Sequence, residues 1–384
     1  MDIQIPSCKH FTGYKPCFPG VNCLLECAKN EPVGTRILLI NLDAMGNVLA
    51  TTSILPALKR KYPVSEVTWL TLRNAAPLLA NNPYLDYVFV WDTESLLILE
   101  GQKFDVVMNV DKSRRAGAFA MRVNAQERLG FGINERGAII PLNSEAEENY
   151  RLGLDDEMKF KVNTRTVPQL ECEEFKLPYA RDEYILHLTA AEEEFCRSYR
   201  ERAGISEEDV VVGLNTGCSE LYPNKKLTIE QHIALIQDLS HDAGLKIVLL
   251  GGPEDTVRNA EIHRRVGDRV IPTPTEEGVR RGVCYENVCD VVVTGDSFGM
   301  HLAIALKKYV IAWFGLSCWA EIDLFDRGLK LIPEGLWCAP CCKKECPYNL
   351  ECIQMVDLKR IAGEIRRFKE TRTRAKGAPA AKGM

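Results

Sequence analysis

Residues 289–306, CDVVVTGDSFGMHLAIAL, confine the chain to a narrow set of folds. Val291, Val292 and Val293 form a continuous β-branched run, the pattern of a strand covered on both faces in a parallel sheet. Gly295, Asp296 and Ser297 follow as a polar turn with a helix-capping residue. From Gly299 the apolar residues Met300, Ala303 and Ile304 recur at helical spacing. Such a strand-to-helix passage puts backbone N–H groups and a positive dipole end at the carboxyl edge of a sheet, where α/β proteins hold phosphates. The same residues also suit an ordinary βα turn capped by an Asp.

The pattern recurs along the chain. RILLINL (36–42) predicts a buried strand, followed by the loop DAMGN and a helix over 48–61 that stops at Tyr62-Pro63. EVTWLTL (66–72), YVFVW (87–91) and FDVVMNV (104–110) continue a first series of strands. Residues 143–163 predict a surface loop with a short helix. Residues 166–184, with Pro168, Pro178 and several acidic residues, predict an interdomain linker. A second series then begins: a helix over 190–203, strand VVVGLN (210–215), a helix over 228–243, strand LKIVLLGG (245–252) and strand RVI (269–271). After the opening stretch come strand YVIAWFG (309–315) and a terminal helix over 355–369. Strands alternating with helices imply βαβ units, and 384 residues exceed what one core usually fills. The reading is an α/β protein with two facing Rossmann-like domains, over 34–180 and 181–371. A cysteine-rich arm (1–33) precedes them, a cysteine-rich segment lies near the C-terminus, and residues 372–384 are expected to be a disordered tail.

Composition restricts the function. A net charge of −5 argues against a nucleic-acid partner. No apolar run is long enough to span a bilayer and no signal-peptide core is present, so a cytoplasmic protein is expected, with peripheral contact at the inner membrane left open.

Three loops of the second half converge in principle on one anionic ligand. In NTGCSELYPNKK, Thr216 and Ser219 offer hydroxyls, Gly217 allows close backbone approach and Lys225 offers a point charge. In GGPED, Glu254 or Asp255 is placed to hold a ribose hydroxyl. In GDSFGMH the candidates are Asp296, Ser297, Gly299 and His301. Three such loops, each at a strand's carboxyl end, point to a nucleotide-diphosphate ligand. Neither GxGxxG nor a P-loop is present, which counts against a dinucleotide cofactor and against an NTPase.

These segments resemble the family 9 glycosyltransferases, the heptosyltransferases, over almost all of residues 35–369. The resemblance rests on RILLINLDAMGNVLATTSILPALKRKYP, WLTLRNAAPLLANNPYLDYV, GLNTGCSELYPNKKLTIEQ, IVLLGGPED and VVVTGDSFGMHLAIAL, in that order. It implies a GT-B fold, an ADP-heptose or similar donor, inversion at the anomeric carbon, and no cofactor or catalytic metal. The acceptor is then a lipopolysaccharide core or similar glycan. By position, Thr216, Lys225, Glu254 or Asp255, Asp296, Ser297, Gly299 and His301 match the donor-binding places; Phe298 and Thr228 depart from the family pattern. The departure with chemical weight is Asn47. The family's first loop usually ends in Gly-Asp, whose Asp is the proposed general base, whereas this chain has Gly46-Asn47. An amide has no basic site, and a general base is worth about two to four powers of ten in rate. Three readings follow: Asp43 is the base, Asn47 only orients the acceptor, or activity is lost. Asp43 also suits a turn residue bonded to its own loop.

The fifteen cysteines are clustered, which in a reducing compartment favours metal ligation over disulfides. Cys338, Cys341, Cys346 and Cys352 have spacing suited to structural zinc or iron, and equally to packed thiols; Cys8, Cys17, Cys23 and Cys27 offer a second, looser set. The segment CAPCCKKECP resembles one in many family members, and one branch that glycosylates autotransporter proteins carries an iron-binding cysteine finger. Two alternatives follow: a protein O-heptosyltransferase, or a catalytically degenerate metal-binding sensor on the same scaffold. Finally, Lys112, Arg114 and Arg115 form a basic patch that suits an anionic acceptor, or a solvated helix face.

Overall fold

The computed structural model describes residues 3–25 and 27–377, with side chains through residue 374. Contacts divide the chain into two units. The first comprises residues 1–155 and 167–185, the second residues 156–166 and 186–384.

The first unit is built on a six-stranded sheet of β1 (Thr35–Ile40), β2 (Ser65–Thr71), β3 (Tyr87–Val90), β4 (Lys103–Asn109), β5 (Asn124–Ile133) and β6 (Ile139–Pro141). Its order is β3-β2-β1-β4-β5-β6, parallel except for the antiparallel β5–β6 pair. The two-residue side-chain period of β1 decides how the sheet is covered. Ile37 and Leu39 enter one core with α1 (Met45–Thr51), α2 (Ile54–Lys61) and part of α6 (Val167–Glu174). Leu38 and Ile40 enter the other, with α3 (Thr93–Glu100) and α4 (Arg114–Arg122). Helix α5 (Ala146–Leu152) packs on α6 and the β5–β6 edge.

Several expectations are corrected. The single helix over 48–61 is two helices, because the Thr52 and Ser53 hydroxyls bond back to the Leu49 and Ala50 carbonyls and break the ladder. The linker expected over 166–184 contains α6, which buries Leu170, Glu171, Cys172 and Glu174 against the first sheet. Strands β5 and β6 are not predicted by the sequence pattern. The arm before β1 has no helix or strand among its described residues and is tied to the sheet by Lys9, which donates to Asp86 at 2.7 Å.

The second unit repeats the topology with β7 (Val210–Asn215), β8 (Leu245–Leu250), β9 (Ile271–Pro272), β10 (Val291–Gly295), β11 (Tyr309–Trp313) and β12 (Gly328–Leu331). All are parallel, in the order β12-β11-β10-β7-β8-β9. Its helices are α7 (Ala190–Arg202), α8 (Ile229–Leu239), α9 (Thr256–Val266), α10 (Val279–Asn287), α11 (Phe298–Ala305), α12 (Glu351–Gln354) and α13 (Leu358–Gly377). Thr228, unusual for the resemblance, is the N-cap of α8 in a reciprocal pair with Gln231. The edge strand β12 was not anticipated. Helix α13 buries Ile361, Ala362 and Ile365 in the second core and runs to Gly377. Residues 372–377, expected to begin a disordered tail, are therefore helical, and Arg372 pairs with Asp290 at 2.6 Å. The rest of that tail lies outside the described residues.

Candidate active site

In each sheet the strand order reverses at one point, between β1 and β4 and between β7 and β10. Open α/β sheets bind ligands at the carboxyl ends of the strands flanking such a point. The candidate residues of both halves gather there.

In the second unit, Asn215 at the end of β7 donates to the Thr294 and Ser297 hydroxyls at 2.9 and 2.8 Å, joining the two strand ends. Ser297 is the N-cap of α11 but makes no side-chain cap bond, so its hydroxyl does not compete with an anion for the first-turn N–H groups, of which Met300 already donates to the Ser297 carbonyl at 3.1 Å. Lys225 donates to Asp296 at 2.7 Å, and its carbonyl accepts from the Trp313 indole at 2.9 Å. Burial would raise the Asp296 carboxyl, but the Lys225 ammonium and His301 outweigh it and hold it below the usual carboxylate value. Burial pushes the His301 imidazole down against the pull of Asp296, so it is neutral at neutral pH.

Two loop candidates hold the site together from inside. The fully buried Thr216 hydroxyl donates to Asn259. Asp255 is buried, accepts from the Gly252 amide at 3.0 Å and stands 3.4 Å from the Lys226 ammonium. A Cβ on Gly217 would fall 1.8 Å from an Asp255 carboxylate oxygen, and one on Gly299 2.5 Å from the Asn215 amide. Glycine at both is a matter of space. Glu254 is exposed, and Ser219 accepts from the Leu221 amide at 3.2 Å.

In the first unit, Asp43 follows β1 and pairs with Arg115 at 2.9 Å, both side chains nearly half exposed. Helix α1 starts at Met45, inside the stretch that the sequence gives as the loop DAMGN, and places Asn47, exposed, in its first turn. Asp111, not singled out from sequence, is buried and accepts from the Leu42 and Ser113 amides at 3.1 and 2.7 Å, joining the ends of β1 and β4. Arg114 and Arg115 are exposed in the first turn of α4. Lys112 turns instead to α5, donating to the Asn149 carbonyl and amide oxygens at 2.7 and 2.9 Å.

The cysteine sets remain separate thiols in the structure. Among the described residues, no three His, Cys, Asp or Glu side chains converge as metal ligands, and all fifteen cysteines are free. Cys352 packs against Gly315 and the second core. Burial and then Cys341, Cys346 and Cys338 push its thiol up to about 11. The backbone amides of Cys341 and Cys342 are tied to the Leu316 carbonyl. As arranged, these thiols do not fit a closed tetrahedral site. The looser set of Cys8, Cys17, Cys23 and Cys27 is likewise not assembled.

Residues 98–351 match the family model for glycosyltransferase family 9 (heptosyltransferase). The chain belongs to this family. It is therefore a glycosyltransferase of the heptosyltransferase group, and its two Rossmann-like sheets are those of the GT-B fold. The lipopolysaccharide core heptosyltransferase OpsX of Haemophilus influenzae is 20% identical over 291 residues, 72% of this chain and 78% of the relative. ADP-heptose lps heptosyltransferase II of E. coli matches with a TM-score of 0.66 at 17% identity, over 88% of this chain and 100% of that one. The dodecameric iron-containing heptosyltransferase TibC of E. coli, solved with ADP-D-beta-D-heptose, matches with a TM-score of 0.53 at 11% identity, over 91% and 80%. No described helix is long and apolar enough to cross a membrane.

Proposed function

We propose that the protein transfers heptose from an ADP-heptose-like donor, held at the β7–β10 switch, to the anionic core of a lipopolysaccharide-type acceptor engaged at the β1–β4 switch. The observation that carries this reading is the donor half: one ammonium, one helix N-terminus and a cradle that excludes a Cβ, all at the same strand ends. Lys225 and the first-turn amides of α11 stabilise the departing diphosphate, where negative charge grows in the transition state. The acceptor half has matching electrostatics. Two arginines in the first turn of α4 add positive charge to the positive end of a helix dipole, which an anionic acceptor relieves. Asp43 takes the acceptor proton, Asn47 orients the hydroxyl, and one inverting displacement follows without a catalytic metal. The family relation and the relatives' named substrates favour this acceptor over a protein.

The test is transfer from ADP-heptose to heptose-deficient lipopolysaccharide core by purified protein. Asp43→Asn is expected to lower turnover by about two to four powers of ten with ADP affinity unchanged, while Asn47→Asp preserves or raises it. A fully active Asp43→Asn variant would make Asp43 a turn residue and remove it from the chemistry.

A further inference from the structure

Helix α6 points two carboxyl groups inward beneath the first-unit switch. Glu171 and Glu174 are 2% and 0% exposed, and each keeps one oxygen, Oε2 of Glu171 and Oε1 of Glu174, with no hydrogen-bond partner among the described residues. The other oxygen of Glu171 ends a buried chain. The Asn41 amide donates to the Thr51 hydroxyl at 2.8 Å, and that hydroxyl donates to Glu171 Oε1 at 2.9 Å. Asn41 and Thr51 are 1% and 0% exposed. Asn41 is the first residue after β1. Its backbone is held on the β2 side by the Leu70 carbonyl at 3.2 Å and the Trp69 indole at 3.3 Å. The chain of bonds therefore fixes where residues 41–47 leave the sheet.

We propose that Glu171 is a positioning residue for the transfer reaction: through Thr51 and Asn41 it sets the segment 41–47 that presents Asp43 and Asn47. This rests on the role given to that segment under the proposed function. Core stability alone gives no reason for the acid, since a leucine fills such a site without an orphaned oxygen. The charge state follows from the surroundings. Burial pushes the Glu171 carboxyl up to about 8, against the smaller pulls of Thr51 and Lys112. The groups around it do little to neutralise an anion. From α1 it meets the Thr51 hydroxyl, and on its own helix Glu174, also held protonated by burial. Lys112 is occupied by Asn149, Arg60 of α2 is turned to Asp182 and the Pro178 carbonyl, and on α5 Glu147 pairs with Arg151. The working form is thus the neutral acid, and ionisation above about pH 8 puts an unpaired charge behind the segment.

Three variants of the full-length protein test this: Thr51→Val, Glu171→Leu and Glu171→Gln. Measured are turnover from pH 6.5 to 9, ADP affinity by calorimetry, and amide hydrogen exchange over residues 41–48. Thr51→Val and Glu171→Leu are expected to lower turnover by about tenfold or more, leave ADP affinity unchanged and speed exchange in 41–48. Glu171→Gln, which mimics the neutral acid, is expected to recover most of that turnover and to remove the fall in activity centred near pH 8. Unchanged exchange in Thr51→Val, or a fall near pH 8 that persists in Glu171→Gln, overturns the proposal. If wild-type protein transfers no sugar, the functional reading fails, while the exchange experiment still decides whether the Glu171 chain holds the segment.

Discussion

Lys225 spends one of its three N–H donors on Asp296, which leaves two for an incoming phosphate. The pair is only 20% and 15% exposed, so removing the lysine does more than delete one contact: it leaves the Asp296 carboxylate uncompensated beside an anionic ligand. A charged hydrogen bond is worth roughly 1.5–3 kcal/mol, so Lys225→Ala is expected to weaken ADP binding by about 10- to 100-fold. Adding Asp296→Asn to that variant is expected to restore part of the loss. Titration calorimetry with ADP decides it, and an unchanged affinity for Lys225→Ala removes the lysine from the donor site. At this scale the sequence singles out residues but not their partners. Lys225 and Asp296 were both candidates, yet nothing in residue types at such a separation says they pair with each other. Thr216 and Asp255 read as ligand contacts and act in the structure as internal braces, because a buried hydroxyl or carboxylate bonds whichever partner the fold brings to it.

Elements were legible where hydrophobic pattern and turn chemistry agree. The buried runs of β1, β7, β8, β10 and β11 and the capped starts of α7 and α8 follow from residues a few positions apart. Helix α6 did not, because its prolines and acidic residues carry the composition of a linker, and only the tertiary structure turns Glu171 and Glu174 inward. Strand β5 was hidden for a related reason: none of its first five residues, NAQER, is buried, and four of those five are polar. The turn after β7 depends on space that no pattern reveals. With a Cβ at residue 217 placed inside the van der Waals radius of the Asp255 carboxylate, either the loop or the Gly252–Asp255 bond must move. Gly217→Ala is therefore expected to lower ADP affinity by about tenfold or more and to reduce the melting temperature by several degrees, since overpacking costs about 1–3 kcal/mol. An alanine variant with native ADP affinity and native melting would show that the loop does not need the glycine.

Across the whole molecule, the two Rossmann-like halves are readable because each βαβ unit is local. The three passages of the chain between the two units, after residues 155, 166 and 185, are not. Residues 156–166 lie between two stretches of the first unit yet pack in the second, held by Lys159, which meets Glu321 at 3.2 Å.

Both units also bury acids whose desolvation outweighs the pull of nearby lysines, and this gives the molecule a pH dependence with a definite sign. Burial raises Glu171 to about 8 and lifts Glu174 and Glu286 well above the ordinary range, two in the first unit and one in the second. Between the ordinary carboxylate value and about pH 8, the folded protein holds protons that the unfolded chain has released. Stability therefore falls as pH rises through that window, by at most about 1.4 kcal/mol per pH unit for each group. Two groups act in the opposite sense at lower pH. The His232 imidazole is pushed down to about 4 by burial, so stability is lost as pH falls from about 6.5 to 4. Glu192, held near 2 chiefly by Arg280, loses its contribution as pH falls from the usual carboxylate value toward 2. From about pH 6.5 to 8 the buried acids therefore act without opposition from these two groups, and the melting temperature is expected to drop by roughly 5 °C or more across it. Glu171→Gln should flatten the slope of the transition that reports the first unit and leave that of the second unit unchanged. Differential scanning calorimetry of full-length wild type and variant over this range checks it. A wild-type melting temperature that stays level or climbs from pH 6.5 to 8 would mean that these carboxyl groups are not buried as protonated acids.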